Sequence, residues 1–312
     1  MKIITLTPSP AVDIHLFSDS FELGEYNKVR IISRDSGGKG INLSRALKEN
    51  GIDNIAAAFI GKDGAESFLS PLLSLGMDML VTLTEGSVRE NINIQHKDRE
   101  TVIATPGVPV GKAALADMEG KLLPLVDNDT VIAFCGSISD GSDKDGILSL
   151  LYKCKSLGAS LVFDTKSLSL EQILPLKPYL IKPNEAEAEM LTGMTVSSLD
   201  DAIRAAAALR DMGCENVMLT LGGSGAVLAA YDGVYTVSSP RVEVVSTVGA
   251  GDSSIAGFLA AKREGLDSPA VLERAVAYGS AACMSLGSLP PRKENVENLI
   301  KQLKGSAVRR EL

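Results

Sequence analysis

The sequence predicts an α/β fold: a three-layer α/β/α sandwich around a mostly parallel central sheet, with a small β-sheet lid beside it. Two observations carry this expectation. Short, largely uninterrupted apolar runs alternate with helical patterns through most of the 312 residues, as strands buried on both faces and their crossover helices should. Two segments, 12–34 and 87–105, break that rule and alternate apolar with polar residues, with no helical pattern between.

In chain order, IITLT (3–7), IAAAFIG (55–61), TVIAFCG (130–136), SLVFDT (160–165), YLIKPN (179–184) and NVMLTLG (216–222) read as buried strands. Helical patterns at 41–50, 112–125, 144–157 and 199–212 separate several of them. RVEVV (241–245) reads as another strand, and 252–264, 269–286 and 293–304 as three successive helices. The two exceptional segments read as antiparallel ribbons with one solvated face. Alike in pattern, they are expected to pair into one small sheet. Without a linker-like or repetitive stretch, residues 1–312 are read as a single domain, with its lid drawn from parts of 12–34 and 87–105.

Composition narrows the function. Thirty-one basic against 39 acidic side chains leave a net charge of −8, which argues against nucleic acid and anionic membranes as partners. Any phosphate site must therefore be local. Two histidines, His15 and His96, are too few for a multi-histidine metal centre and argue against a Ser-His-Asp hydrolase. The four cysteines form no CxxC pair. No uncharged apolar run approaches the roughly 20 residues of a membrane helix, and the N-terminal segment meets Pro8, Pro10 and Asp13 too early for a signal sequence. The expected compartment is the cytoplasm.

Four segments carry chemistry. In STVGAGDS (246–253), Gly249 and Gly251 allow a tight turn that points successive amides into one concavity at the start of a helix, a nest for anions. Asp252 stands beside it, placed to take a proton from an attacking hydroxyl; a plain helix cap explains the same residues. In SGGKGIN (36–42), glycines 37, 38 and 40 admit a ligand close to the backbone, Lys39 offers charge and Asn42 an amide. Asp13 could accept from two sugar hydroxyls. In IKPNEAEAE (181–189), Asn184 and Glu187 share one helical face, suited either to orienting a hydrated Mg²⁺ or to a capping box. TLGGSG (220–225) covers a nucleotide or closes a hairpin. Ser254 stands where a Rossmann fingerprint needs glycine, and Ser33 and Gly40 exclude a Walker A loop around Gly38–Lys39.

Together and in this order, these segments resemble the ribokinase-like (PfkB) carbohydrate kinase family along nearly the whole chain. TLTPSPAVD (5–13), LGEYNKV (23–29), the lysine of the di-glycine motif, and VREN (88–91) followed by ETVIATPG (100–107) resemble its 1-phosphofructokinase/tagatose-6-phosphate kinase branch. The resemblance implies that Asp252 is the catalytic base and that the backbone of Gly249, Ala250 and Gly251 forms the anion hole. It implies that Asp13, Gly37, Gly38 and Asn42 hold the sugar, and that Lys28, Lys39 and Arg89 meet its existing phosphate. Lys182, Asn184 and Glu187 would orient Mg·ATP. Thr220, Gly222, Ser224, Gly225 and Ser280 would line the nucleotide site. The implied acceptor is fructose 1-phosphate, with tagatose 6-phosphate and fructose 6-phosphate as alternatives; from a different class, a catalytically silent sugar-phosphate-binding regulatory protein is the competing reading. The family's pairing of lids implies a homodimer. Two departures stand out: Ser246 replaces the usual acidic residue or Asn, which weakens an implied monovalent-cation site, and CGSIS (135–139) replaces SGSLP.

Overall fold

The apolar run after Lys2 builds the strand at which the main sheet changes direction. A computed structural model describes residues 1–97 and 99–311 of the chain; Asp98, inside the second exceptional segment, and Leu312 lie outside the described residues. Strand β1 (Lys2–Thr7) leads into the hairpin β2 (Ala11–Phe17) and β3 (Arg30–Gly37), then helix α1 (Lys39–Glu49). Next come β4 (Ile55–Asp63), α2 (Ala65–Ser74) and β5 (Asp78–Ser87), and a second hairpin, β6 (Arg89–His96) and β7 (Arg99–Ala104). The alternation resumes with α3 (Lys112–Leu122), β8 (Thr130–Cys135), α4 (Lys144–Ser156), β9 (Ser160–Asp164), α5 (Leu170–Ile173) and β10 (Leu180–Ile181). It continues through α6 (Glu185–Thr192), α7 (Leu199–Asp211), β11 (Val217–Thr220), β12 (Ala226–Ala230) and β13 (Gly233–Val237). Helices α8 (Ala250–Arg263), α9 (Ser268–Cys283) and α10 (Lys293–Leu303) precede a last strand, β14 (Val308–Arg310).

Among the described residues the strands form two sheets. The large one runs β14-β13-β12-β11-β10-β9-β8-β1-β4-β5, parallel from β11 to β5 and antiparallel beyond β11. Its pleat divides the core. Ile4, Leu6, Phe59, Ile132, Phe134 and Phe163 join one apolar layer with α3, α4 and α7, while Ile3, Val131, Ala133 and Val162 join the other with α1, α8, α9 and α10. Each such side chain contributes about 1.5–3 kcal/mol on burial, so the seven-strand parallel centre is held from both faces.

The two ribbons do pair, in the order β3-β2-β6-β7, with antiparallel hairpins joined by a parallel β2–β6 seam. One expectation is corrected here. The polar face is not solvated at its centre, where Asp13 is 6% and Asn93 9% exposed, although Gln95 on the same face is exposed. The apolar face, with Val12 and Ile14, packs with Phe68 of α2 and Ile60 of β4, so the polar face turns inward. The second correction concerns 241–245, which forms no strand. Pro240 lacks an N–H, and the amide of Val245, like that of Ser246, is taken by the Cys283 carbonyl, so the segment crosses the surface as an irregular strap.

Helices α8 and α9 meet at Gly257, where a Cβ would stand 2.7 Å from the Arg274 carbonyl oxygen and 2.9 Å from Ala275 Cα. Helix propensity favours alanine over glycine by about 1 kcal/mol, but overpacking a fixed backbone costs about 1–3 kcal/mol. Gly257→Ala is therefore expected to destabilise the chain in urea titrations. An unchanged or raised midpoint would show that the two helices are not tightly apposed.

Candidate active site

In a doubly wound sheet, ligands collect at the carboxyl ends of the strands where chain direction reverses. Here that point is β1 against β8. The chain moves outward from β1 through β4 to β5, then returns to the other side of β1. Around it the fold gathers the beginnings of α1 and α8, the ends of β8 and β9, and the polar face of the small sheet.

Asp252 lies in the first turn of α8, whose N-cap Gly249 has φ 76° and no side-chain cap. A left-handed glycine frees the turn to aim its amides outward. Ala250 and Gly251 also line a cavity of about 590 Å³, so the nest opens onto it. Asn42, one turn into α1, donates from Nδ2 to Asp252 Oδ2 at 3.0 Å. Burial, first, and the charge of Asp164, second, raise the Asp252 pKa to about 6, against the pull of Asn42, Lys39 and Lys182.

Asp164 was not singled out by the sequence, although a carboxylate ending the buried run SLVFD is a signal of its own. It is 3% exposed and accepts from Lys39 Nζ at 2.9 Å, with Lys182 Nζ at 3.7 Å. Its Oδ2 is buried without a partner. Burial works against the charge on Lys39, but the Asp164 carboxylate prevails and its pKa is raised. Lys182 also lies across Gly251, where a Cβ would stand 3.1 Å from Nζ. Two cations and two carboxylates thus surround the nest.

A second polar group lies across Asn42. Asn91 Nδ2 donates to Asp13 Oδ1 at 2.8 Å, and β2 and β6 hold Asp13 and Asn91 directly opposite each other. A Cβ on Gly37 would overlap Asp13 Oδ2 and approach Asn42 Oδ1, so only a bare glycine lets the backbone pass this close to these two polar groups. A side chain at Gly38 would meet Pro10 Cα at 2.9 Å. Burial raises the Asp13 pKa, against the hydrogen bond from Asn91 and the charges of His15 and Arg89. Arg89 reaches Ser137 Oγ at 3.4 Å and Asn91 Oδ1 at 3.3 Å; burial lowers its pKa and Asp13 offsets part of that. The sequence missed Asn91 and Ser137, though Arg89, Asn91 and Asn93 alternate along one face of β6.

Arg89 and Lys39 flank the Gly136–Ser137 turn, since Gly136 packs near the Lys39 side chain. Lys28 does not join them. It is exposed on the 18–29 connection, beyond the Phe17 end of β2, and four residues of strand from Asp13 to Phe17 already span about 13 Å. Within one chain, the expected three-cation cluster is therefore two. Asn184 and Glu187 form the reciprocal capping box, Asn184 N–H to Glu187 Oε2 at 3.0 Å and Glu187 N–H to Asn184 Oδ1 at 2.9 Å. Glu187 Oε1 meets Lys166 at 3.3 Å, and Glu187 shares a cavity wall with Asp164 and Lys182.

TLGGSG closes the hairpin from β11 to β12, and Thr220, Gly222 and Gly225 line the 590 Å³ cavity with Ser280. Ser224 is exposed and is not among the wall residues. Ser246 accepts from the Val248 amide at 3.2 Å. Among the described residues no three His, Cys, Asp or Glu side chains cluster as a metal cage, and no helix is long and apolar enough to cross a membrane.

Residues 9–295 match the pfkB family of carbohydrate kinases. The chain is 32% identical to the 1-phosphofructokinase of Escherichia coli K12 over 83% of each sequence. It is 30% identical to that of Bacillus subtilis 168 over 97% of this chain and 98% of the relative. By shape it is similar to phosphofructokinase-2 from Escherichia coli crystallised with substrates and products, at TM-score 0.91 and 22% identity, covering 97% and 100% of the two chains. At that identity the likeness shows the fold.

A carboxylate whose pKa rises from 3.8 to about 6 binds its proton more tightly folded than unfolded. Its contribution to stability is complete below pH 3.8 and is lost as pH rises through about 6. Asp252→Asn removes that burden. It is expected to melt higher than the parent chain above pH 6, with the difference closing on acidification towards pH 4. Equal melting temperatures at pH 8 would show that Asp252 is not a buried, strained carboxylate.

Proposed function

The chain belongs to the pfkB family of carbohydrate kinases, and on that premise we propose that it moves the γ-phosphoryl group of ATP to O6 of fructose 1-phosphate, giving fructose 1,6-bisphosphate and ADP. The observation that carries this reading is the Asn42–Asp252 hydrogen bond. It sets a proton-accepting carboxylate between the polar groups at Asp13 and Gly37 and the cavity behind the α8 nest.

Asp13 and Asn91 hold acceptor hydroxyls, while Arg89, Lys39 and Ser137 meet the phosphate already on the sugar. In a chain of net charge −8, a dianionic acceptor needs such local cations. Asp252 takes the hydroxyl proton as the oxygen attacks, and the amides of Gly249, Ala250 and Gly251 with Lys182 receive the negative charge spreading over the transferred group. Thr220, Gly222, Gly225 and Ser280 line the nucleotide cavity. Asp164, with its unpaired buried oxygen, and Glu187 fit a Mg²⁺ held jointly with substrate phosphates, the ion supplying neutralisation of phosphate charge. Ser246 offers only a hydroxyl, already accepting from Val248, so no monovalent cation enters this reading.

The small sheet acts as the lid over the acceptor. Leu23, Tyr26, Ile31 and Val102 on it and on its 18–29 loop are exposed, which fits a homodimer joined through the lids, in a soluble cytoplasmic enzyme. Ile31→Asp is expected to yield monomers in sedimentation velocity. Sugar phosphate should slow amide exchange in Ala11–Phe17 and Arg89–His96 together. Unaltered exchange in both strands at saturating sugar phosphate would remove the lid.

Asp252→Asn should keep ATP and sugar-phosphate affinity while lowering kcat by at least the roughly 10²–10⁴-fold typical of a general base. The parent chain's kcat/KM should rise with pH through about 6, the Asp252 pKa. Across fructose 1-phosphate, fructose 6-phosphate, tagatose 6-phosphate and ribose, the first should give the highest kcat/KM. A variant within tenfold of the parent, or a preference for ribose, would overturn the assignment.

A further inference from the structure

Beside the C-terminal half of α1 lies a cavity of about 690 Å³ that the phosphoryl-transfer reading does not use. Its charged walls are Arg45, Lys48, Arg292 and a single acid, Glu49. That bias runs against a chain of net charge −8.

Arg45 is the informative wall. It is 5% exposed, yet no carboxylate lies within ion-pairing distance among the described residues. Among the described residues the hydrogen bonds of its side chain are 3.3 Å contacts from Nη1 to the carbonyls of Ser36 and Ser288, and Nε has no partner there. Asp35 and Asp13 act on it only at a distance. A buried guanidinium left without a counter-ion is costly. Lys48 has one weak partner, Asp53 at 4.0 Å. The Arg292 side chain, where α10 begins, makes no hydrogen bond or ion pair among the described residues, and no side chain caps that helix. Uncapped amides add positive potential at that wall. The remaining surface includes Leu75, Met284 and Leu289, an apolar bed beside the cations.

We propose that this cavity is a second anion site, separate from the phosphoryl-transfer centre, which takes a phosphate monoester carrying an apolar body. The charged end meets Arg45, Lys48 and Arg292, and the body lies on Leu75 and Leu289.

The chain has no tryptophan, so Leu289→Trp places one reporter at the cavity. Phenyl phosphate should change its fluorescence saturably, phenol should not, and Lys48→Glu with Arg292→Glu should raise the half-saturating concentration about tenfold or more. Absence of saturation, an equal response to phenol, or an unchanged titration in the double variant would each overturn the site. Should Leu289→Trp fail to fold, the upward shift of Tm by phenyl phosphate in the parent chain, and its loss in Lys48→Gln/Arg292→Gln, decides the same question. Neither measurement depends on turnover.

Discussion

Two helices that begin 211 residues apart, α1 at Lys39 and α8 at Ala250, are joined at their first turns by the hydrogen bond from Asn42 to Asp252. Nearly everything else at the centre follows from that contact. It orients a buried carboxylate that would otherwise be free to turn away from the nest, and it leaves Asn42 Oδ1 close against Gly37. Both helices pack on the same face of the large sheet, so their relative height is set by Leu43, Leu47, Ile255 and Leu259 in one apolar layer. The centre is thus positioned by hydrophobic packing, and one amide converts that packing into a fixed, buried carboxylate.

Charge balance is the second constraint. Asp252 and Asp164 repel, which lifts the proton affinity of Asp252; Lys39 and Lys182 keep it from rising further. Removing either lysine would leave a buried carboxylate uncompensated, a larger penalty than the pair itself contributes. Four groups in mutual balance also give the site a use for an acidic chain. The Lys182 charge is enclosed and its pull on Asp164 is screened less by salt than that of the part-exposed Lys39.

How much of this was legible in the sequence depends on whether a residue's role is local. The strands 3–7, 55–61 and 130–136 showed themselves because burial on both faces leaves an unbroken apolar run. Asp252, Gly249 and the 36–42 segment showed themselves because turn, nest and helix start are contiguous. Asp164 and Asn91 stayed hidden: one is a lone acid at a strand end, the other one polar residue among several on β6, and each gains meaning only from a partner more than seventy residues away. RVEVV misled because its composition is that of a strand while no neighbouring strand offers it a ladder. The polar ribbon faces misled because alternation reports that two faces differ, not which of them meets water.

The order of the large sheet has a consequence for how the chain assembles during synthesis. β1 is central, yet its partner β8 is made about 130 residues later, and the α8 that lies beside α1 later still. A growing chain must therefore carry an unpaired, buried-type edge of β1 until β8 emerges, and an uncovered α1 until α8 does. Contacts of such long sequence separation slow folding and leave strand edges open to wrong partners. The emerging first half is accordingly the stretch most in need of chaperone cover, and a ribosome stalled before Ala250 would hold a sheet lacking only β14, with α1 still uncovered and the Asp252 carboxylate not yet made.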